Sequence, residues 1–514
     1  MSPLSAILKL HMLHDATISS QDSADGKAKP VEEWLVHANG RTHPDNAEQL
    51  LRQVLLLREA SPTEQRILLL NQLFEHAERM VTGELPLLQE VTLPVSRRIR
   101  RSTRLIQELL AALVQAYFNT LPEFFAPRPS PPERTPQYVL RRIMKGIAWH
   151  LRISHHTASP SGLGVWQQLH AAYRTSRRLG IADRPGPDSE PSIEQLYLRT
   201  LLAGIAQPAS FCYSELEFVA DYIASCVKPV DILERPPLDH RGVFWVALDK
   251  DFPAQALARR SPPSDLLVLY FACDLIARDA REQLAALTKG THASRLGIPD
   301  FADTPAGRGV LRRLNLLWGQ PAARRFPRRR QSYRVNLCAG FEQLWQMIRH
   351  PGQEGQISEW MVTNESPDGY SLMHISGEAA NLLIGDIVAI QPTGDRGEPL
   401  PNWSVGIIRW ALSENSEHIE LGMQQLAAQA IAAEIVRPAE IEADRLLALI
   451  LPETPPLRML PALVTAAGKL SGSEHRLIVL VADKDSGVRG VRPTALTEQT
   501  PRIEVFSVEP DEKL

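Results

Sequence analysis

The chain has 514 residues, 44% of them hydrophobic, and 56 basic against 59 acidic side chains leave a formal net charge of −3. A near-neutral chain of this length holds several domains with sizeable cores, and its overall charge gives no reason to expect a polyanion partner. Cys212, Cys226, Cys273 and Cys338 fit neither a disulfide framework nor a metal spacing, so a reduced, cytoplasmic setting is expected.

Residues 1–45 mix polar residues with Gly and Pro, which predicts a flexible lead-in, and the start of the chain carries no secretion-signal pattern. No apolar stretch approaches the ~20 residues needed to cross a bilayer. From 46 to 310 the dominant period is helical and an all-α domain is predicted. Ser61-Pro62-Thr63-Glu64 reads as a helix start, and Ser192 with Gln195 and Ser214 with Glu217 repeat the cap logic. Leu140, Ile143, Met144, Ile147 and Leu151 share one face of a helix opened by Thr135-Pro136. Proline-rich breaks at 121–136 and 184–191 divide this region into two subdomains or form long loops within one. A short strand-like insert covers 242–248, and the apolar run 266–277 predicts a buried central helix.

Two candidate features of this region carry bland readings. His155-His156 are adjacent and point in different directions, so no metal ligation is expected. Arg97, Arg98, Arg100, Arg101 and Arg104 head a helix ending near Phe118 and read as a solvated face.

The chemistry concentrates further on. Arg328-Arg329-Arg330-Gln331-Ser332-Tyr333-Arg334 runs into an apolar, strand-like stretch opening at Val335. A polar turn, Asn364-Glu365-Ser366-Pro367-Asp368-Gly369, then interrupts a second strand-like stretch. These form R-x-x-x-R followed by N-x-S-x-x-G. A guanidinium pairs bidentately with phosphate or with the O6/N7 edge of guanine, and it stacks on purine faces. Placed in a loop before the strand, Arg330 and Arg334 reach one ligand from two sides. Asn364 and Ser366 offer short polar groups to a base edge, and Gly369 is expected to adopt a positive φ.

At these residues the chain resembles the PilZ family, bacterial receptor domains for cyclic di-GMP. The similarity continues through Gly385-Asp386, the strand ending in Arg409-Trp410 and the strand 419–424, covering residues 322–428. The resemblance implies a six-stranded antiparallel β-barrel with the ligand across its open side. Ligand-binding residues would be Arg329, Arg330, Arg334, Asn364, Ser366 and Gly369, with Arg329 favouring an intercalated ligand pair. Arg324 and Arg328 give an alternative register for the arginine motif.

A helical tail is predicted over 426–435, and 440–514 reads as a small C-terminal β module with strands at 446–451, 462–465, 476–481, 490–492 and 502–508. This module has no arginine motif or N-x-S-x-x-G turn, so no second ligand site is expected there. The fold class is therefore multidomain α plus β: an all-α N-terminal region, a PilZ-like barrel and a C-terminal β module.

The chain lacks phosphate-loop, dinucleotide-fold, zinc-protease and nucleophile-elbow motifs. It also lacks the GGDEF and EAL motifs of cyclic di-GMP turnover. The expectation is a non-enzymatic receptor that needs no cofactor beyond its ligand. It would signal to an unidentified protein target by reorienting barrel and helical domain. The alternatives are a scaffold whose PilZ domain no longer binds nucleotide, or a nucleic-acid-binding protein using both arginine clusters.

Overall fold

The computed structural model describes residues 25–38, 47–58, 64–89, 91–122, 135–319, 326–350, 356–377, 381–394, 398–415, 418–436, 445–455, 458–470, 477–481 and 488–511. The chain divides into two compact units, one of residues 1–84 and 104–146, the other of 85–103 and 147–514.

The first unit is helical: α1 (Asp25–Ala38), α2 (Ala47–Arg58), α3 (Glu64–Glu84), most of α4 (Arg97–Thr120) and the first half of α5 (Pro136–His156). The expected lead-in over 1–45 thus contains a helix. Its core includes Leu70, Leu73, Phe74, Leu113 and Tyr117, and the Tyr117 hydroxyl donates to Asn71 at 2.8 Å. The apolar face predicted for α5 is buried throughout, from Leu140 to Leu151.

The second unit opens its helical part with the remainder of α5, α6 (Val165–Arg178), α7 (Ile193–Ile205) and α8 (Tyr213–Cys226). The capping box at Ser192 and Gln195 forms as predicted. The next cap lies two residues before the predicted one, because the Cys212 amide donates to Glu215 at 3.0 Å.

The predicted buried helix over 266–277 is instead strand β4 (Val268–Ala272) followed by α9 (Asp274–Thr288). β4 belongs to a four-stranded sheet with β1 (Ile232–Leu233), β2 (Val243–Ala247) and β3 (Gln255–Ala256), in the order β1-β4-β2-β3. An apolar run this short fits a buried strand as well as a helix, and pairing with the wholly buried β2 selects the strand. α10 (Ala293–Leu296) and α11 (Pro305–Gly319) complete this part.

Two closed barrels follow. The first contains β5 (Arg329–Ala339), β6 (Ile357–Ser366), β7 (Gly369–Ser376), β8 (Ile387–Pro392), β9 (Ser404–Ser413) and β10 (Ile419–Ala427), with helix α12 (Phe341–Arg349) after β5. The second contains β11 (Ile431–Val436), β12 (Leu446–Leu451), β13 (Ala462–Ala466), β14 (Leu477–Val481), β15 (Val488–Gln499) and β16 (Ile503–Pro510). All pairings are antiparallel, and both barrels close in one order, first-second-third-sixth-fifth-fourth strand. The C-terminal module is thus a topological copy of the first barrel. The predicted helical tail over 426–435 is the end of β10 and the whole of β11. Leu426, Ala427 and Ala432 of this segment pack in the space between the barrels.

That space is a shared core. Cys338, Leu344, Trp345, Ile387, Val405 and Ile407 of the first barrel and its helix pack with Ala432, Leu449, Leu451, Val464, Ile503 and Val505 of the second. The Trp345 indole donates to the Ala433 carbonyl at 2.9 Å. Inside the first barrel lie Val335, Leu337, Trp360, Val362, Leu372, Ile408 and Leu421, together with Leu93, Val95 and Ala158 from outside it. Backbone bonds secure those outside segments. Leu93 and Leu382 exchange two hydrogen bonds, and the Ser413 amide donates to Ala158 at 2.7 Å. Arg100 donates to the Ser413 carbonyl and hydroxyl, so this member of the basic cluster is a bonded anchor rather than a solvated residue.

Candidate functional site

The arginine segment is strand, not loop. β5 begins at Arg329 and runs past the point predicted for its start, because the far end of β6 supplies pairing partners. Arg329 lies opposite Glu365, Arg330 opposite Asn364 and Arg334 opposite Met361, with a bulge between Arg330 and Tyr333. Bulges re-aim side chains and recur beside binding sites. Arg329 and Arg330 are exposed, and among the described residues no ion pair holds either of them. Arg324 and Arg325 lie outside the described residues, and Arg328 is exposed just before β5.

Arg334 points outward, between inward-facing Tyr333 and Val335. Its Nη1 donates to Glu359 Oε1 at 2.8 Å, and Ser376 donates to the other oxygen of that carboxylate at 2.9 Å. These bonds from Ser376 and Arg334 hold the Glu359 carboxyl below its ordinary range. On the inner side, Tyr333 packs on the barrel core and its hydroxyl meets Glu365 at 3.3 Å. Burial, with Glu365 beside it, pushes the Tyr333 phenol up.

The polar turn joins β6 to β7. Ser366 is buried, its hydroxyl donating to Asp368 Oδ1 at 2.6 Å and meeting the Gly369 carbonyl at 3.2 Å. Its first task is therefore to shape the turn. The Asp368 carbonyl accepts from the Gln425 amide at 2.9 Å, tying the turn to β10. Gly369 does not take the positive φ expected of it. It is needed for close approach, since a Cβ there would stand 2.1 Å from the Met423 carbonyl oxygen. The turn's glycine admits a neighbouring strand.

Register continues the site around the barrel. Asn364 pairs with Ser371, Ser371 with Gly422, and Gly422 with Trp410. These positions form one row that starts at Arg330, with neighbours about 5 Å apart. A Cβ on Gly422 would meet the Trp410 indole nitrogen at 1.8 Å, so the ring lies flat against that glycine. One row along, Gln424 pairs with Gly369 and accepts from Arg409 Nε at 2.6 Å, while Arg409 also pairs with Glu498 of the second barrel. Glu359, Trp410, Gln424 and Arg409 are the residues that sequence reasoning did not place here. Their proximity depends on strand register, for which the linear sequence gives no signal beyond the Arg-Trp pair.

The structure thus brings Arg330, Asn364, Ser366 and Gly369 to one end of the β5–β6–β7 surface, with Arg329 and Arg334 flanking them. The site combines two uncommitted guanidinium groups, a third shared with one carboxylate, an amide and an indole face. That set suits an anionic ligand with planar bases. Among the described residues no group of acidic, cysteine and histidine side chains is arranged to hold a metal ion. His156 instead meets Glu217 at 2.7 Å.

Residues 29–237 match the family described as cyclic-di-GMP receptor FimW, N-terminal domain, and residues 346–431 match cyclic-di-GMP receptor FimW, middle PilZ domain. The first match covers the helices whose kinship the sequence reading left open. The second includes the Asn364–Gly369 turn and begins after the arginine segment. A solved structure, the Bacillus subtilis inhibitor of motility MotI/DgrA, aligns with 13% identity over 35% of this chain and 89% of its own, at a TM-score of 0.11. No curated protein matches the chain. No helix among the described residues is long and apolar enough to cross a membrane. With both matched intervals together spanning more than half of its length, the chain belongs to the PilZ-domain family of cyclic-di-GMP receptors.

Proposed function

We propose that this protein binds cyclic di-GMP at the outer surface of its first barrel and passes the binding event to a protein target. The observation that carries this reading is the pairing of Arg330 with Asn364, which sets a cationic fork beside a base-reading amide. Arg329, Arg330 and Arg334 would hold the phosphates and guanine edges, Asn364 would read a base, and Ser366 and Gly369 would shape the turn beneath the ligand. The Trp410 indole, three strands from Asn364 and lying over Gly422, offers a stacking surface for a second base.

The signalling step follows from where the arginines sit. They begin β5, which emerges from the segment after α11. A ligand clamped there reorders this entry to the barrel, and reorientation of barrel and helical region toward the target follows as a population shift. The protein acts as a receptor, without catalysis. Equilibrium titration of the wild-type and Arg330→Ala chains with cyclic di-GMP tests the reading. Wild-type binding that Arg330→Ala weakens at least tenfold supports it, and equal affinities refute the site.

A further inference from the structure

Glu359 is the feature of the site that the proposed function leaves without a role. Its carboxylate lies on β6 among groups suited to an anionic ligand, and both of its oxygens are satisfied, by Arg334 and by Ser376. It is about one-third exposed, and Arg334 is 61% exposed. Neither residue is buried by the pairing, so the bond is not there to satisfy a desolvated charge. The register places Glu359 opposite Asn336 and Ser376, within the ladder, so its backbone cannot swing away when a ligand arrives.

We infer that Glu359 is an internal competitor for Arg334, a stand-in anion that sets how tightly and how selectively the site takes its ligand. This rests on the reading of the site given above.

A phosphodiester approaching Arg334 has two choices. It can replace the carboxylate on Nη1, or it can take the remaining guanidinium donors and share the cation with Glu359. Replacement gives up one charge-assisted hydrogen bond to form another. Sharing sets two anions a few ångströms apart across one cation. In both cases the carboxylate lowers affinity relative to a neutral group of the same shape. The penalty falls on any ligand that can engage only Arg334. A ligand with two phosphates and two bases also engages Arg329, Arg330 and Asn364, and so overcomes it. Glu359 thus filters out simpler anions such as mononucleotides.

Because the bonds from Ser376 and Arg334 keep the carboxyl low, the competitor stays ionised throughout the neutral range. Glu365, the other acid beside the arginines, is engaged on the inner side with Tyr333 and is not an equivalent competitor.

The test is a titration of four full-length chains with cyclic di-GMP and with GTP: wild type, Glu359→Gln, Arg334→Ala and the double variant. Glu359→Gln should bind cyclic di-GMP roughly twofold to fivefold more tightly, the range expected for one exposed charge pair. It should also gain detectable GTP binding. The gain should vanish in the Arg334→Ala background, which separates local competition from a general loss of negative charge. Unchanged or weaker binding by Glu359→Gln, with wild type binding normally, would overturn the inference and leave the site intact. A gain that persists in Arg334→Ala would overturn it also. Absence of wild-type binding would overturn the parent reading and this inference with it.

Discussion

Arg330 on β5 faces Asn364 on β6 directly across the barrel ladder, joining the arginine motif and the polar turn into one surface. Among the described residues no ion pair holds Arg330, and the bond from Arg334 to Glu359 lies at the exposed surface. Truncating either guanidinium therefore tests ligand binding with little effect on folding. Arg330→Ala and Arg334→Ala should each lose charged hydrogen bonds worth about 1.5–3 kcal/mol, hence ~10- to 100-fold in affinity. Thermal unfolding should move by no more than a surface substitution normally does, and titration together with a melting curve checks both halves.

Gly369 predicts the opposite pattern. With the Met423 carbonyl 2.1 Å from any added Cβ, Gly369→Ala must push β10 away from the turn. The expected cost is about 1–3 kcal/mol of stability, the usual penalty for overpacking. Binding should weaken as a consequence, and urea denaturation should show the loss without any ligand present.

The barrels should not behave as independent modules. Trp345 lies in the core they share and donates to β11. Trp345→Ala should cost about 3–5 kcal/mol, as large aromatic truncations do. Hydrogen exchange should accelerate in β8 and β12 together. Faster exchange in one barrel alone would mean that the shared core does not couple them.

A second buried commitment joins α8 to α11. Arg313 pairs with Glu215, which is 1% exposed, and also donates to the Ser210 carbonyl at 2.7 Å. Arg313→Ala leaves that carboxylate buried without its cation, and about 3–5 kcal/mol should be lost. Denaturant midpoints at constant m-value measure it.

Acid should destabilise the second unit earlier than its carboxylates alone would require. Burial pushes His170 down to about 4, and it holds His150 down to about 4 as well. Unfolded, both take up a proton near 6.5. The folded state does so only near 4. Their contribution is complete above pH 6.5 and is lost as the pH falls from there towards 4. The urea midpoint should decline progressively across that window, and His170→Gln should reduce the slope.

What the sequence revealed depended on how local the cause was. Ser192 and Gln195 cap a helix through contacts three residues apart, and the strands of the second barrel alternate over short windows, so both were legible. The run 266–277 was not, because five apolar residues become strand or helix according to whether β2 lies alongside. The strand over 431–436 was misread for the same reason, since its partners are β12 and β14. Within the candidate site, residue types and spacing singled out the arginines and the turn as candidates. The contacts of Glu359 and Trp410, and the close approach of β10 to Gly369, depend on register between strands distant in the chain.

Cyclic di-GMP binding is read out by isothermal titration of the full-length chain, with GTP and cyclic di-AMP as controls. Micromolar or tighter binding of cyclic di-GMP alone is expected, with a stoichiometry that separates one ligand from an intercalated pair. Absence of binding, or equal binding of the controls, would contradict it.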